Sequence, residues 1–127
     1  MSQTGSYQQS GGGGGGSTFT WNVITSATQG MTAQNGYLIN TAGLCTLTLP
    51  ATSSVGDTIQ VAGINATGSW KINQNAGNKI LIGSISSTTG ATGYVSSTAV
   101  YDSITLVCVS GNANWVVTSS LGNLTVN

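Results

Sequence analysis

Charged side chains are almost absent from this sequence of 127 residues, which has two lysines, two acidic residues, no arginine and no histidine. An ordinary soluble domain carries roughly 25% charged residues. Two lysines cannot form the basic patch that neutralises phosphates, so we expect no nucleic-acid partner. The only carboxylates, Asp57 and Asp102, have no histidine with which to share acid–base work. The sequence therefore predicts a protein that is not an enzyme and uses no cofactor.

Other missing features narrow the function further. No run approaches the ~20 apolar residues that a membrane helix needs, so no membrane partner is expected. Residues 1–17 show neither the basic nor the apolar region of a secretory signal peptide. No cluster has zinc or EF-hand spacing, and no metal site is predicted. Asp57 and Asp102 are instead expected to bond to the backbone of their own turns.

Short segments of alternating apolar and polar residues follow one another from residue 18 to residue 127. In one of them Cys45, Leu47 and Leu49 share a face. Turn residues separate the segments, and we expect turns at Asn35-Gly36 and at Val55-Gly56-Asp57. This pattern predicts a single all-β domain over residues 18–127, a small antiparallel β-sandwich or a β-prism or barrel-like domain.

A polar and glycine-rich segment, residues 1–17, precedes the predicted domain. The uninterrupted run from Gly11 to Gly16 is expected to make it a flexible arm. Directly after it, Phe19, Trp21 and Val23 alternate with polar residues, which predicts a strand with one apolar face. Residues 18–24 either form the first strand of the subunit's own sheet or join a neighbouring subunit. The candidate assembly residues are Gly11, Gly16, Phe19, Trp21 and Val23.

Two cysteines and a few aromatic residues are the remaining candidates for chemistry or binding. Cys45 and Cys108 each lie in an apolar run, and they form either one disulfide or two buried thiols. Trp70, Tyr94 and Tyr101 are candidate glycan contacts, because aromatic faces hold sugars. For Trp70 the competing interpretation is a core position, since it lies in an alternating strand.

The low charge also bears on association. With a formal net charge of zero, copies of the chain lack the repulsion that keeps monomers apart. The chain also lacks the lysines that normally protect exposed sheet edges. The alternative interpretation is that the sequence has drifted toward low complexity, which would give the same composition. We favour the interpretation that the surface is suited to packing against copies of itself.

Residues 30–127 resemble β-rich modules of bacteriophage tail-fibre-like proteins and of secreted bacterial fibre proteins. The motifs that carry the resemblance are Gly36-Tyr37, Thr46-Leu47-Thr48-Leu49-Pro50, Val55-Gly56-Asp57-Thr58-Ile59, Trp70-Lys71-Ile72, Gln74-Asn75-Ala76-Gly77, Trp115-Val116-Val117 and Gly122-Asn123-Leu124-Thr125-Val126. The resemblance implies a homotrimeric or filamentous architecture outside the cell, without known catalysis. Here one module follows a glycine-rich arm, whereas the related modules can recur in tandem, and this favours self-assembly into a filament.

The sequence thus leads to two functional hypotheses. The first is a structural subunit of an extracellular fibre or filament, a homo-oligomer that polymerises through β-sheet packing and the N-terminal arm. The second is a receptor- or glycan-binding module of a phage tail-fibre-like protein, whose partner would be a cell-surface glycan.

Overall fold

The computed structural model describes residues 18–127, and the predicted arm of residues 1–17 lies outside the described residues. The described chain is all β and contains no helix. Its strands are β1 (Thr20–Ile24), β2 (Thr28–Gly30), β3 (Asn35–Ile39), β4 (Leu44–Thr48), β5 (Thr58–Gly63), β6 (Ser69–Asn73), β7 (Lys79–Ile82), β8 (Ile85–Ser86), β9 (Tyr94–Ser96), β10 (Ser103–Ser110), β11 (Asn114–Leu121) and β12 (Thr125–Val126).

Two sheets pack face to face and confirm the predicted β-sandwich. The seven-stranded sheet has the order β1-β3-β5-β10-β11-β7-β8, and the five-stranded sheet has the order β12-β9-β6-β4-β2. The buried hydrophobic residues of both sheets form one cluster between them. Strands whose side chains alternate between this core and solvent are what a two-layer sandwich requires.

The strand directions differ from the prediction, because both sheets are mixed instead of purely antiparallel. From β1 to β6 the chain crosses from one sheet to the other after every strand. Strands two apart in sequence therefore lie side by side and run parallel, as β1, β3 and β5 do in the larger sheet and β2, β4 and β6 do in the smaller one. The antiparallel hairpin of β10 and β11 then extends the larger sheet beyond β5.

Large apolar side chains from both sheets meet in the core. Two cross-strand pairs of the same composition lie in opposite sheets: Cys45 is paired with Trp70 in the five-stranded sheet, and Cys108 with Trp115 in the seven-stranded sheet. All four side chains are fully buried. Burying a large apolar side chain contributes roughly 1.5–3 kcal/mol, so these positions are central to the stability of the domain.

The two ends of the sandwich differ. At one end the edge strands are β1 and β2, which are consecutive in the chain and have five and three residues. At the other end the edges are β8 and β12, with two residues each. Just beyond these short strands, the backbone N–H of Thr88 donates to the carbonyl of Asn127 at 2.9 Å and links the two sheets. Very short, mutually linked edges offer little backbone to an incoming strand.

Candidate functional site

Both aspartates take part in the turns that contain them, as the sequence predicted. Asp57 Oδ2 accepts a hydrogen bond from the backbone N–H of Ser54 at 2.9 Å. Asp102 is buried, and its Oδ2 accepts from the backbone N–H groups of Thr98 and Ala99 at 2.8 and 3.0 Å. Within residues 18–127, no three His, Cys, Asp or Glu side chains cluster in a way that could hold a metal ion.

The amides of the loop after β6 also have structural roles. Gln74 is buried, the two hydrogens of its Nε2 are shared among the carbonyls of Asn78, Thr88 and Gly90 at 2.8–2.9 Å, and its Oε1 accepts from the Ser87 hydroxyl. These bonds hold together the long connection between β6 and β9. The sequence did not single out this role, because a glutamine in a polar loop carries no signal that it will be buried.

The two cysteines are free, buried thiols, which decides between the two alternatives that the sequence left open. Burial raises the pKa of the Cys45 thiol, because the thiolate would lose its solvation in the core. The Cys108 thiol donates weakly to Ser53 Oγ at 3.5 Å and to the Ser110 carbonyl at 3.4 Å. Both therefore serve as core side chains.

The structure corrects the prediction that Trp70 contacts a glycan. Trp70 has no exposed surface, and its indole Nε1 donates to the carbonyl of Asp102 at 3.0 Å. Successive side chains of β6 point to opposite faces of the sheet, so Trp70 points into the core while Lys71 points outward. The Trp70 ring therefore has no free face for a sugar. Tyr94 lies on the outer face of the same sheet, where the Lys71 Nζ sits 4.2 Å from its ring centroid.

Tyr101 is the remaining candidate glycan contact, and it is well exposed. Its side chain is 66% exposed, and its backbone has a φ of 69°. A bulky residue in the left-handed region is strained and needs support from its surroundings. That support comes from the neighbouring Asp102, through its carboxylate bonds to the loop and through its carbonyl, which accepts from the N–H of Gly63 at 3.2 Å.

The candidate assembly residues of β1 form an exposed apolar strip at the sheet edge. Trp21 and Val23 are 49% and 59% exposed on the outer face of the seven-stranded sheet. The Phe19 ring meets the Trp21 ring edge-on, with 5.5 Å between centroids. Trp21 is paired with Gly36 of β3, and its indole occupies the place where a Cβ at that position would lie. Gly11 and Gly16, the other predicted assembly residues, lie outside the described residues.

The backbone of β1 shows which groups are free to pair. The strand runs parallel to β3 of the same chain, so it completes its own sheet, one of the two predicted alternatives. The Thr20 N–H donates to Gln34 O at 3.2 Å, and Ile24 O accepts from the Asn40 N–H at 2.8 Å. Because successive residues of a strand point their amides to opposite sides, the N–H and C=O groups of Trp21 and Val23 point away from β3.

The neighbouring edge strand β2 has the same arrangement. Ala27 O accepts from the Thr46 N–H at 2.8 Å, and the Met31 N–H donates to Thr48 O at 2.9 Å, so the backbone of Thr28 faces outward. The sequence pattern did not predict β2, because three residues of mixed character are too few to show alternation. Across residues 18–127, no strand pairs with the outer side of β1 or β2, and neither strand contains a charged residue.

Comparison with known proteins gave no matching family model and no significant match among curated proteins. The resemblance to phage and bacterial fibre modules therefore stays a prediction. In the part of the chain that the structure describes, no helix is long and apolar enough to cross a membrane.

Proposed function

We propose that this protein is a structural subunit that assembles with copies of itself into a fibre. One observation carries the proposal: the sandwich ends in two consecutive edge strands, β1 and β2, that carry no charge and whose outer sides have no strand partner among residues 18–127. Folded proteins normally protect such edges with lysine, proline, a bulge or a covering segment. The exposed Trp21 and Val23 next to this edge add apolar surface that association would bury.

The composition of the rest of the surface supports the same function. Only two lysines and two aspartates occur in the whole chain, and one of the aspartates is buried. Copies of the chain therefore meet with almost no long-range electrostatic repulsion. Most other exposed residues of the described chain are Ser, Thr, Asn, Ala or Gly, and such groups pack against a like surface without desolvating charges.

Growth into a fibre needs a second contact besides the sheet edge, because a single self-complementary patch closes after two subunits. The arm of residues 1–17 is our candidate for this contact. Its hexaglycine run would give it the reach to touch another subunit. The extracellular setting of such a fibre belongs to the same proposal and rests on the resemblance to fibre modules.

Sedimentation and electron microscopy of the purified full-length chain test the proposal. We expect the sedimentation coefficient to rise with concentration, and filaments to be visible by negative stain. A variant that lacks residues 1–17 should melt as the full chain does and form small oligomers without filaments. A full-length chain that stays monomeric at every concentration would refute the proposal.

Glycan binding is the second candidate, and the exposure of Tyr101 favours it. An exposed aromatic residue with a left-handed backbone is the kind of strained position that clusters at binding sites. A glycan array with the wild-type protein and with Tyr101→Ala tests this function. Saturable binding that the variant loses would support it, and no binding to any glycan would argue against it.

A further inference from the structure

The geometry points to a two-fold dimer in which β1 of one copy pairs antiparallel with β1 of a second copy, so that the seven-stranded sheet continues across the interface. This inference deepens the proposed self-assembly and rests on it. It specifies the partner strand, the relative direction of the strands and the residue pairs that meet.

A second copy is the occupant that the two ends of the sandwich favour. The β8 and β12 end has two-residue edges that are linked to each other through Thr88 and Asn127, so it offers too little backbone to pair with the longer β1. The β1 edge is thus best matched by another β1 edge. Pairing of the same patch on both subunits is isologous and requires a two-fold axis. An axis perpendicular to the sheets also brings β2 of the two copies side by side.

The backbone directions allow this pairing in a definite register. The outward N–H and C=O groups of β1 belong to Trp21 and Val23, and in an antiparallel ladder such groups must face each other. With the axis at Asn22, Trp21 of one copy is paired with Val23 of the partner subunit, and the reverse pair forms by symmetry. These side chains lie on the same outer face of the sheet. Aromatic and β-branched residues make a favourable cross-strand pair.

The same register places Asn22 opposite Asn22 of the partner subunit. The alternation along β1 directs the backbone of Asn22 toward β3, so this pair has no hydrogen bonds between the copies. Such pairs have Cα atoms about 4.5 Å apart, a separation that a disulfide can span. Thr20, by contrast, is paired with Ile24 of the partner subunit. Its two copies are four residues apart along the strands, or about 13 Å.

Cysteine cross-linking of the full-length chain tests this register. Under mild oxidation, Asn22→Cys should give a covalent dimer that reduction reverses. Thr20→Cys is the matched control, because its side chain is more exposed but should not link to its own copy. The native thiols of Cys45 and Cys108 are buried and do not compete. Equal cross-linking of both variants, or none of Asn22→Cys, would overturn the two-fold register.

Edge variants measure the strength of the contact. Val23→Lys places a charge beside the edge, and Val23→Pro removes an N–H that points away from β3 and has no partner strand among residues 18–127, so both should fold. We expect each to raise the dimer dissociation constant at least tenfold. Val109→Lys is the control, since Val109 is a strand residue of similar exposure, 47%, far from β1. Thermal melting of the three variants checks their folding.

The outcomes separate this inference from the proposed function. If the wild-type chain assembles but the Val23 variants assemble equally well, the β1 edge is not the contact and only the self-assembly proposal survives. If the wild-type chain oligomerises without an Asn22→Cys cross-link, another segment, such as residues 1–17 of a neighbour, occupies the edge and the inference fails. A wild-type monomer refutes both.

Discussion

Trp70 and Asp102 are joined by a hydrogen bond inside the core, in which the indole Nε1 donates to the backbone carbonyl at 3.0 Å. The same carbonyl accepts from the N–H of Gly63, and the Asp102 carboxylate accepts from Thr98 and Ala99. One buried residue thus ties β6 of the smaller sheet to the end of β5 in the larger sheet and to the loop before β10. This residue keeps the loop that presents Tyr101 in place.

The two core tryptophans provide a matched pair for measuring this bond. Both are fully buried, but Trp115 Nε1 has no hydrogen-bond partner within residues 18–127. Trp70→Phe removes an indole N–H that forms a hydrogen bond, whereas Trp115→Phe removes an indole N–H that forms none within residues 18–127. We expect Trp70→Phe to lower the free energy of unfolding by about 1–2 kcal/mol more than Trp115→Phe does. Urea denaturation measures the difference, and equal losses would contradict the assigned role of the bond.

Gly122 is a residue whose identity the Asp102 side chain should dictate. It has a φ of 100°, and a Cβ built on it would overlap Asp102 Oδ1. Gly56 has a similar φ of 96° but open space around the same position. Gly56→Ala should therefore show only the cost of a left-handed backbone at alanine, about 1–2 kcal/mol. Gly122→Ala should lose about 1–3 kcal/mol more, because Asp102 or the loop must move.

Chemical denaturation of the two alanine variants measures this comparison. A loss of stability that is the same in both would show that the Asp102 carboxylate moves aside without cost. In that case the loop between β9 and β10 is softer than its hydrogen bonds suggest. Aromatic near-ultraviolet signals from the Tyr101 loop should change in Gly122→Ala and stay as in the wild type in Gly56→Ala.

The sequence predicted the strands and the core better than it predicted their connections. Alternation placed Cys45 and Leu47 correctly inside, since the side-chain period of a strand is local. The parallel pairing of β1 with β3 depends on a crossing to the other sheet through β2, which is too short to be recognised. The turn predicted at Asn35-Gly36 was wrong, because both residues begin β3 and Gly36 makes room for the Trp21 indole.

The sequence predicted β1 as a strand, but it did not predict which side of β1 lacks a strand partner among residues 18–127. Trp21 and Val23 stood out because they are apolar and follow a glycine run. Which of their backbone groups face outward depends on the register between β1 and β3, and that register comes from long-range pairing. The burial of Gln74 likewise depends on carbonyls that converge from distant loop positions.

The pKa of the Cys45 thiol makes stability depend on pH. Burial raises that pKa in the folded state, so the unfolded chain releases its thiol proton at lower pH than the folded chain does. Above the ordinary thiol pKa of about 8.5, the folded state therefore holds more protons than the unfolded state. Under these conditions the free energy of unfolding decreases as pH rises. The thiol's contribution to the free energy of unfolding is complete at pH values below the thiol pKa of the unfolded chain. It is lost as pH rises through the thiol pKa of the folded chain.

Cys45→Ala isolates this effect, because the variant and the wild type differ only at this thiol. At pH 7 the variant should be less stable than the wild type, because truncation leaves a small cavity beside Trp70. Between pH 8 and pH 10 we expect the gap to narrow, because only the wild type loses stability through this thiol. Urea denaturation of both proteins at several pH values measures the gap. A gap that stays constant over this range would mean that the thiol ionises equally readily in the folded and unfolded chains.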